Sequence, residues 1–144
     1  MKNRSGGSKN GVLARHLKWL CDQKIAHSAE HSYCAIMLRG EYPYVADLFE
    51  SLAASDMRGF RELGQMLRYL GVDPISDIRI HTRGRRGGNI ETIISCELDI
   101  QRQGIDALER IHSLTDDSRI CEVAERMRLE ISENIKALER LLYS

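Results

Sequence analysis

Proline is nearly missing from this chain: Pro43 and Pro74 are the only two in 144 residues. With two Phe and five Tyr, the chain also lacks the turn residues and aromatic alternation of a sandwich or barrel. Charge of one sign is missing too, since the formal net charge is zero. No global field therefore recruits nucleic acid or acidic lipid. No apolar run reaches the roughly 18 residues that span a bilayer, and no membrane partner is expected. The four cysteines, Cys21, Cys34, Cys96 and Cys121, form no C-x-x-C pair. They fall inside helical apolar patterns, as reduced core cysteines of a cytoplasmic protein do, and not as a disulfide framework or zinc site. Met1 to Gly11 is polar and glycine-rich without the apolar stretch of a secretory signal, and reads as a mobile tail.

What remains is helix-forming. At 42% hydrophobic and 29% charged residues, the chain suits a single folded domain over 12–144. Leu13, Leu17, Leu20, Lys24, His27, His31, Cys34 and Leu38 recur in steps of three and four and predict a helix from about Gly11 to Leu38. Gly40 ends it. Val45, Phe49, Leu52, Asp56, Gly59, Leu63, Met66 and Leu70 predict a second from about Tyr42 to Leu70. Pro43 suits its first turn and Gly71 its stop. Ile90, Ile93, Glu97, Ile100, Gly104, Leu108 and Ile111 predict a third over about Asn89–His112. Ile120, Val123, Met127, Glu130, Asn134, Leu138 and Leu141 predict a fourth over about Ser118–Leu142, after a turn at Ser113–Asp117.

The inward stripes carry charges where apolar residues belong, and these charges repeat. Glu97 precedes Glu130 by 33 residues (130 − 97) and Lys24 precedes Asp56 by 32 (56 − 24). A helical hairpin used twice is the simplest source of that pattern. The linker Val72–Gly88 decides how the hairpins join. The second helix spans roughly 43 Å at 1.5 Å per residue, and the linker reaches roughly 55 Å when extended. It can climb the whole bundle, so the expected fold is all-α: a four-helix bundle of two antiparallel hairpins joined by a long crossover, the ferritin-like arrangement. An up-down-up-down bundle with a looping linker stays open.

The stretch Glu41-Tyr42-Pro43-Tyr44-Val45-Ala46-Asp47-Leu48-Phe49, then Leu52-Ala53-Ala54-Ser55-Asp56-Met57, Leu63-Gly64 and Leu70-Gly71-Val72-Asp73-Pro74, resembles the second helix of bacterial rubrerythrin-like proteins of the ferritin-like superfamily. Glu97 through Glu130 is similar to their third and fourth helices. The resemblance spans about Leu17 to Leu142. It implies a di-metal carboxylate site with a Glu from the first helix of each hairpin and Glu-x-x-His from the second. Position by position, the first Glu falls on Lys24 and its Glu-x-x-His on Asp56-Met57-Arg58-Gly59. The second Glu falls on Glu97 and its partner motif on Glu130-Ile131-Ser132-Glu133.

That set is degenerate. Asp56, Glu97, Glu130 and Glu133 against Lys24 would leave a net −3 in a dry core, which must protonate, pair, reach water or bind a cation. An ammonium at Lys24 and no nitrogen at Gly59 argue against an intact di-iron centre. Two outcomes follow. Lys24 replaces metal in a buried charge cluster with Asp56, Glu97 and Glu130, giving a non-catalytic structural or interaction module. Alternatively, a single iron or manganese ion sits on Asp56, Glu97, Glu130, Glu133 and His27, with residual oxidase or peroxide chemistry. His27 and His31 also read as hydrogen-bonded core histidines, and Glu133 as a solvent-facing residue.

Trp19, Tyr33, Ile36 and Met37 lie off the core stripe and suit either a homodimer or higher homo-oligomer face or a wider buried stripe. Arg79, His81, Arg83, Arg85 and Arg86 form a short basic run without stacking aromatics, which reads as a solvated linker and not a nucleic-acid site.

Overall fold

A computed structural model describes the backbone of residues 4–75 and 88–143 and the side chains of residues 11–75 and 88–143. Those residues form four helices and no strand: α1 Arg4–Leu38, α2 Pro43–Tyr69, α3 Ile90–Leu114 and α4 Ser118–Tyr143. The basic run at 79–86 lies outside the described residues.

Local chemistry sets the helix ends. Pro43 opens α2, where its missing N–H costs nothing. The chain leaves α2 through Gly71 at φ 80°, with Gly71 N–H donating to Arg68 O and Val72 N–H to Leu67 O. This is the paired capping of a Schellman end, which only glycine enters without strain. The Asn89 side chain caps α3 by accepting from Thr92 N–H. Asp117 caps α4 by accepting from the N–H groups of Ile120 and Arg119, and those bonds hold its carboxyl below the usual range.

The boundary that differs most from expectation is the first; α3 also runs two residues past His112, to Leu114. α1 begins at Arg4, not near Gly11, so residues 4–11 extend the helix instead of forming a separate tail. Gly6 and Gly7 each cost about 1 kcal/mol relative to alanine. That propensity is a weak term beside helix propagation from the packed turns at Leu13 and Leu17.

α1 and α2 form one antiparallel hairpin, α3 and α4 the other. Across the seams α1 lies beside α3 and α2 beside α4. Polar links give the directions. His16 meets Ala107 and His31 meets Glu97, so α1 and α3 are antiparallel. Ser55 meets Glu130, Glu62 meets Arg126, and Tyr69 meets Asp117, so α2 and α4 are antiparallel. Hence α2 and α3 run the same way. The end of α2 and the start of α3 lie at opposite ends of the bundle, which excludes the up-down-up-down alternative.

The core is split. At one end Leu13, Leu17, Leu63, Leu67, Leu108, Ile111 and Ile120 pack together. At the other, Cys34, Leu38, Phe49 and Leu52 form a cluster beside Ile94, Leu98 and Leu138. Between the two ends lies a charged layer.

Candidate functional site: a buried charge layer

His31 is the centre of this layer. It is 1% exposed on α1, edge-on to Phe49 with ring centroids 5.7 Å apart. Its Nδ1 lies 2.5 Å from Asp56 Oδ2 on α2. Its Nε2 lies 2.8 Å from Glu97 Oε2 on α3. The Glu97 oxygen sits off the N–H direction, so that contact is an ion pair and not an aligned hydrogen bond. Glu97 is fully buried, and Gln101, one turn on, donates Nε2–H to the same oxygen at 2.7 Å. Burial alone would lower the His31 pKa. The contacts with Asp56 and Glu97 outweigh it and raise the value to about 9, so the ring is an imidazolium at neutral pH.

Lys24 enters from the side. Its Nζ is 3.8 Å from Asp56 Oδ1, and its side chain is 15% exposed. Seven residues separate Lys24 from His31 (31 − 24), about 10 Å along the helix. The cation between Asp56 and Glu97 is therefore His31, whereas the sequence pattern assigns that place to Lys24. His27 lies on the same face. Burial first, with the Lys24 and His31 charges beside it, lowers its pKa and leaves it neutral at pH 7.

Gly59 explains how the lysine fits. A Cβ there would lie 3.2 Å from Lys24 Cε, 3.3 Å from Lys24 Cδ and 3.2 Å from Met127 Cε. The position that the resemblance assigns to a ligating histidine is filled by the aliphatic stem of Lys24. Gly59→Leu should destabilise the bundle by about 1–3 kcal/mol through overpacking. Adding Lys24→Ala should relieve part of that loss in urea titrations, because it vacates the space on the Lys24 side while Asp56 keeps His31 as its cation.

The α4 residues stand elsewhere. Glu130, 35% exposed, accepts from Ser55 Oγ at 2.9 Å and from Arg58 at 2.5 Å, both on α2. The expected α4 stripe ran through Val123 and Glu130. The buried stripe instead runs Ile120, Ala124, Met127, Ile131 and Leu138. That one-residue rotation swings Glu130 from the core to the α2–α4 edge. Glu133 faces solvent at 70% exposure and pairs with Lys136 at 3.2 Å.

The structure thus brings Lys24, His27, His31, Asp56, Glu97 and Gln101 together and leaves out Glu130 and Glu133. Among these six, two cations face two carboxylates. Among the described residues no group of three or more His, Cys, Asp or Glu is arranged to hold a metal ion. Geometry accounts for that: the two nitrogens of His31 face different carboxylates, so the ring holds Asp56 and Glu97 apart.

Neither the bridging role of His31 nor Gln101 was read from the sequence. The available signals were spacing alone: His31 is one turn beyond His27 on the stripe, and Gln101 is one turn beyond Glu97. No protein-family model, curated protein or solved structure matches the chain.

Proposed function

We propose that this chain is a ferritin-like, rubrerythrin-like bundle whose interior metal position is closed by the protein's own charges. On this reading it acts as a non-catalytic structural or interaction module and self-associates as a homodimer. The observation that carries the reading is His31 held between Asp56 and Glu97, with Lys24 on the second Asp56 oxygen. An imidazolium and an ammonium supply the positive charge that buried carboxylates otherwise draw from a cation.

The donor set does not fit a pair of bridged metal ions. Lys24 and Gly59 occupy two ligand positions, Glu130 is engaged by Ser55 and Arg58, and Glu133 by Lys136. The same engagements take both α4 donors from the single-ion reading, which keeps only Asp56, Glu97 and His27.

Elemental analysis of protein purified from cells grown with iron and manganese tests the proposal. Below about 0.1 metal per chain is expected, because an ammonium and an imidazolium already neutralise the carboxylates. One iron or manganese per chain would replace the closed-site reading with the single-ion one, and two would restore the dinuclear one.

A further inference from the structure

Two matched contacts frame a groove between α2 and α4 that the charge layer does not use. Glu62 and Tyr69 lie two turns apart on α2, and Arg119 and Arg126 two turns apart on α4. Because the helices run antiparallel, Glu62 meets Arg126 at 2.7 Å, and the Arg119 guanidinium lies 5.0 Å from the centroid of the Tyr69 ring. The Tyr69 hydroxyl also donates to Asp117 at 3.0 Å, which holds the ring under the cation. Between the two contacts the floor is Met66, Ile120 and Val123, and a groove of about 60 Å³ stays open above it.

Cations outnumber anions in this lining. Arg126 uses one nitrogen, Nη2, on Glu62. Arg119 rests on the ring face, and its side chain makes no hydrogen bond or ion pair with a described residue. Asp117 is committed elsewhere: its oxygens take the Tyr69 hydroxyl and the N–H groups of Arg119 and Ile120 at the start of α4. Glu122 is near Arg126 on α4 but outside the lining. Two guanidiniums against the Glu62 carboxylate leave one positive charge over.

We infer that the groove binds a small monocarboxylate with a short hydrocarbon tail, its carboxylate on Arg119 and its tail over Met66, Ile120 and Val123. Each part of that ligand matches one part of the site. A guanidinium presents paired N–H groups that fit a carboxylate. One negative charge balances the lining, whereas a phosphate dianion overshoots it and meets Glu62. The floor offers hydrocarbon and no donor, so it favours a tail over further oxygens. A void of roughly 10–15 Å³ seats one water, so the groove takes about four to six non-hydrogen atoms, the range from acetate to butyrate. The site goes beyond the closed-metal reading and does not rest on it. It begins six residues past Asp56 on α2 (62 − 56), about 9 Å along the helix. A carboxylate seated there touches both hairpins at the end of the bundle remote from the α1–α2 turn.

Amide-resolved NMR of the full chain tests it. Sodium acetate, propionate and butyrate are titrated in turn at constant ionic strength, set with sodium chloride. Shifts should centre on the Arg119 Nε–H, the Gln65 side-chain amide and the Val123 backbone amide, with Kd on the order of millimolar. Each added methylene should tighten binding about twofold to fourfold, and inorganic phosphate should bind more weakly than butyrate. Arg119→Gln should weaken butyrate at least about fivefold. Arg15→Gln, exposed on the diagonal helix α1, should leave it unchanged. Far-UV circular dichroism should show the same helix content in both variants, because the α4 cap uses the backbone N–H of Arg119. No saturable shift, equal affinity across the three carboxylates, or binding indifferent to Arg119→Gln overturns the site. Tighter binding of phosphate overturns the carboxylate assignment. Metal content enters none of these readouts, so this site and the closed-metal reading fail separately.

Discussion

Replacing His31 with leucine should lower the unfolding free energy by about 3–5 kcal/mol, the cost of leaving buried charges without their partner. For a chain of this size that corresponds to a fall of about 10–20 °C in Tm. The cause is specific. Asp56 and Glu97 are 4% and 0% exposed, so neither can turn to water when the imidazolium goes. One carboxyl has to take a proton, or the layer has to open. Leucine is close to histidine in volume, so a cavity is not the source of the loss. The decisive comparison is a double variant, His31→Leu with Glu97→Gln, which leaves Asp56 paired with Lys24. A neutral amide keeps the shape and removes the stranded charge, so the double variant should recover most of the stability. Urea titrations of both variants check this. A single variant no less stable than wild type would mean that His31 is not the counter-ion of this layer.

Raising the pH should remove the same contribution without a mutation. His31 titrates at about 9 in the folded chain against 6.5 for the free side chain. The folded state therefore holds the proton more tightly, and the stabilisation is complete below pH 6.5. It is lost as pH rises through 9. A shift of this size corresponds to about 3 kcal/mol. Cys21, pushed up by burial to about 11 from 9, and Cys121, pushed up by burial as well, act mainly above pH 9, so the interval between 6.5 and 9 reports chiefly the histidine. Below 6.5 the sign reverses through His27, whose lowered pKa means that the unfolded chain binds the proton first. Stability should therefore peak near pH 6.5. Denaturant midpoints taken across pH 5 to 10 should trace that peak, and His31→Leu should flatten its alkaline side. An unchanged slope in that variant would assign the alkaline loss to another group.

The helices were legible because their signals are local. Pro43, Gly71, Asn89 and Asp117 act within one turn of the ends they set, and a period of three and four needs no tertiary knowledge. The hairpin pairing followed from connection lengths, and the shared direction of α2 and α3 from the span of the linker. The site was legible only in part. Asp56 and Glu97 could be placed in the core because each sits on a stripe that otherwise carries apolar residues. Glu130 could not be placed correctly. On α4, Val123-Met127-Glu130 and Ala124-Met127-Ile131 both keep helical spacing, and only packing against α2 and α3 chooses between them. Which cation meets which carboxylate is a matter of stagger between helices, worth about 10 Å between Lys24 and His31, and periodicity along one helix contains no information about it.

Apolar contacts fix the lengthwise register of helices less sharply than charges do, and both halves of this core are apolar. The layer between them does not slide. Moving α1 by one turn, about 5.4 Å, would carry His31 away from both acids and bring them against hydrocarbon. The bundle is thereby pinned lengthwise at a single level, like a bolt through stacked rods, and the two hairpins have one depth at which they can close.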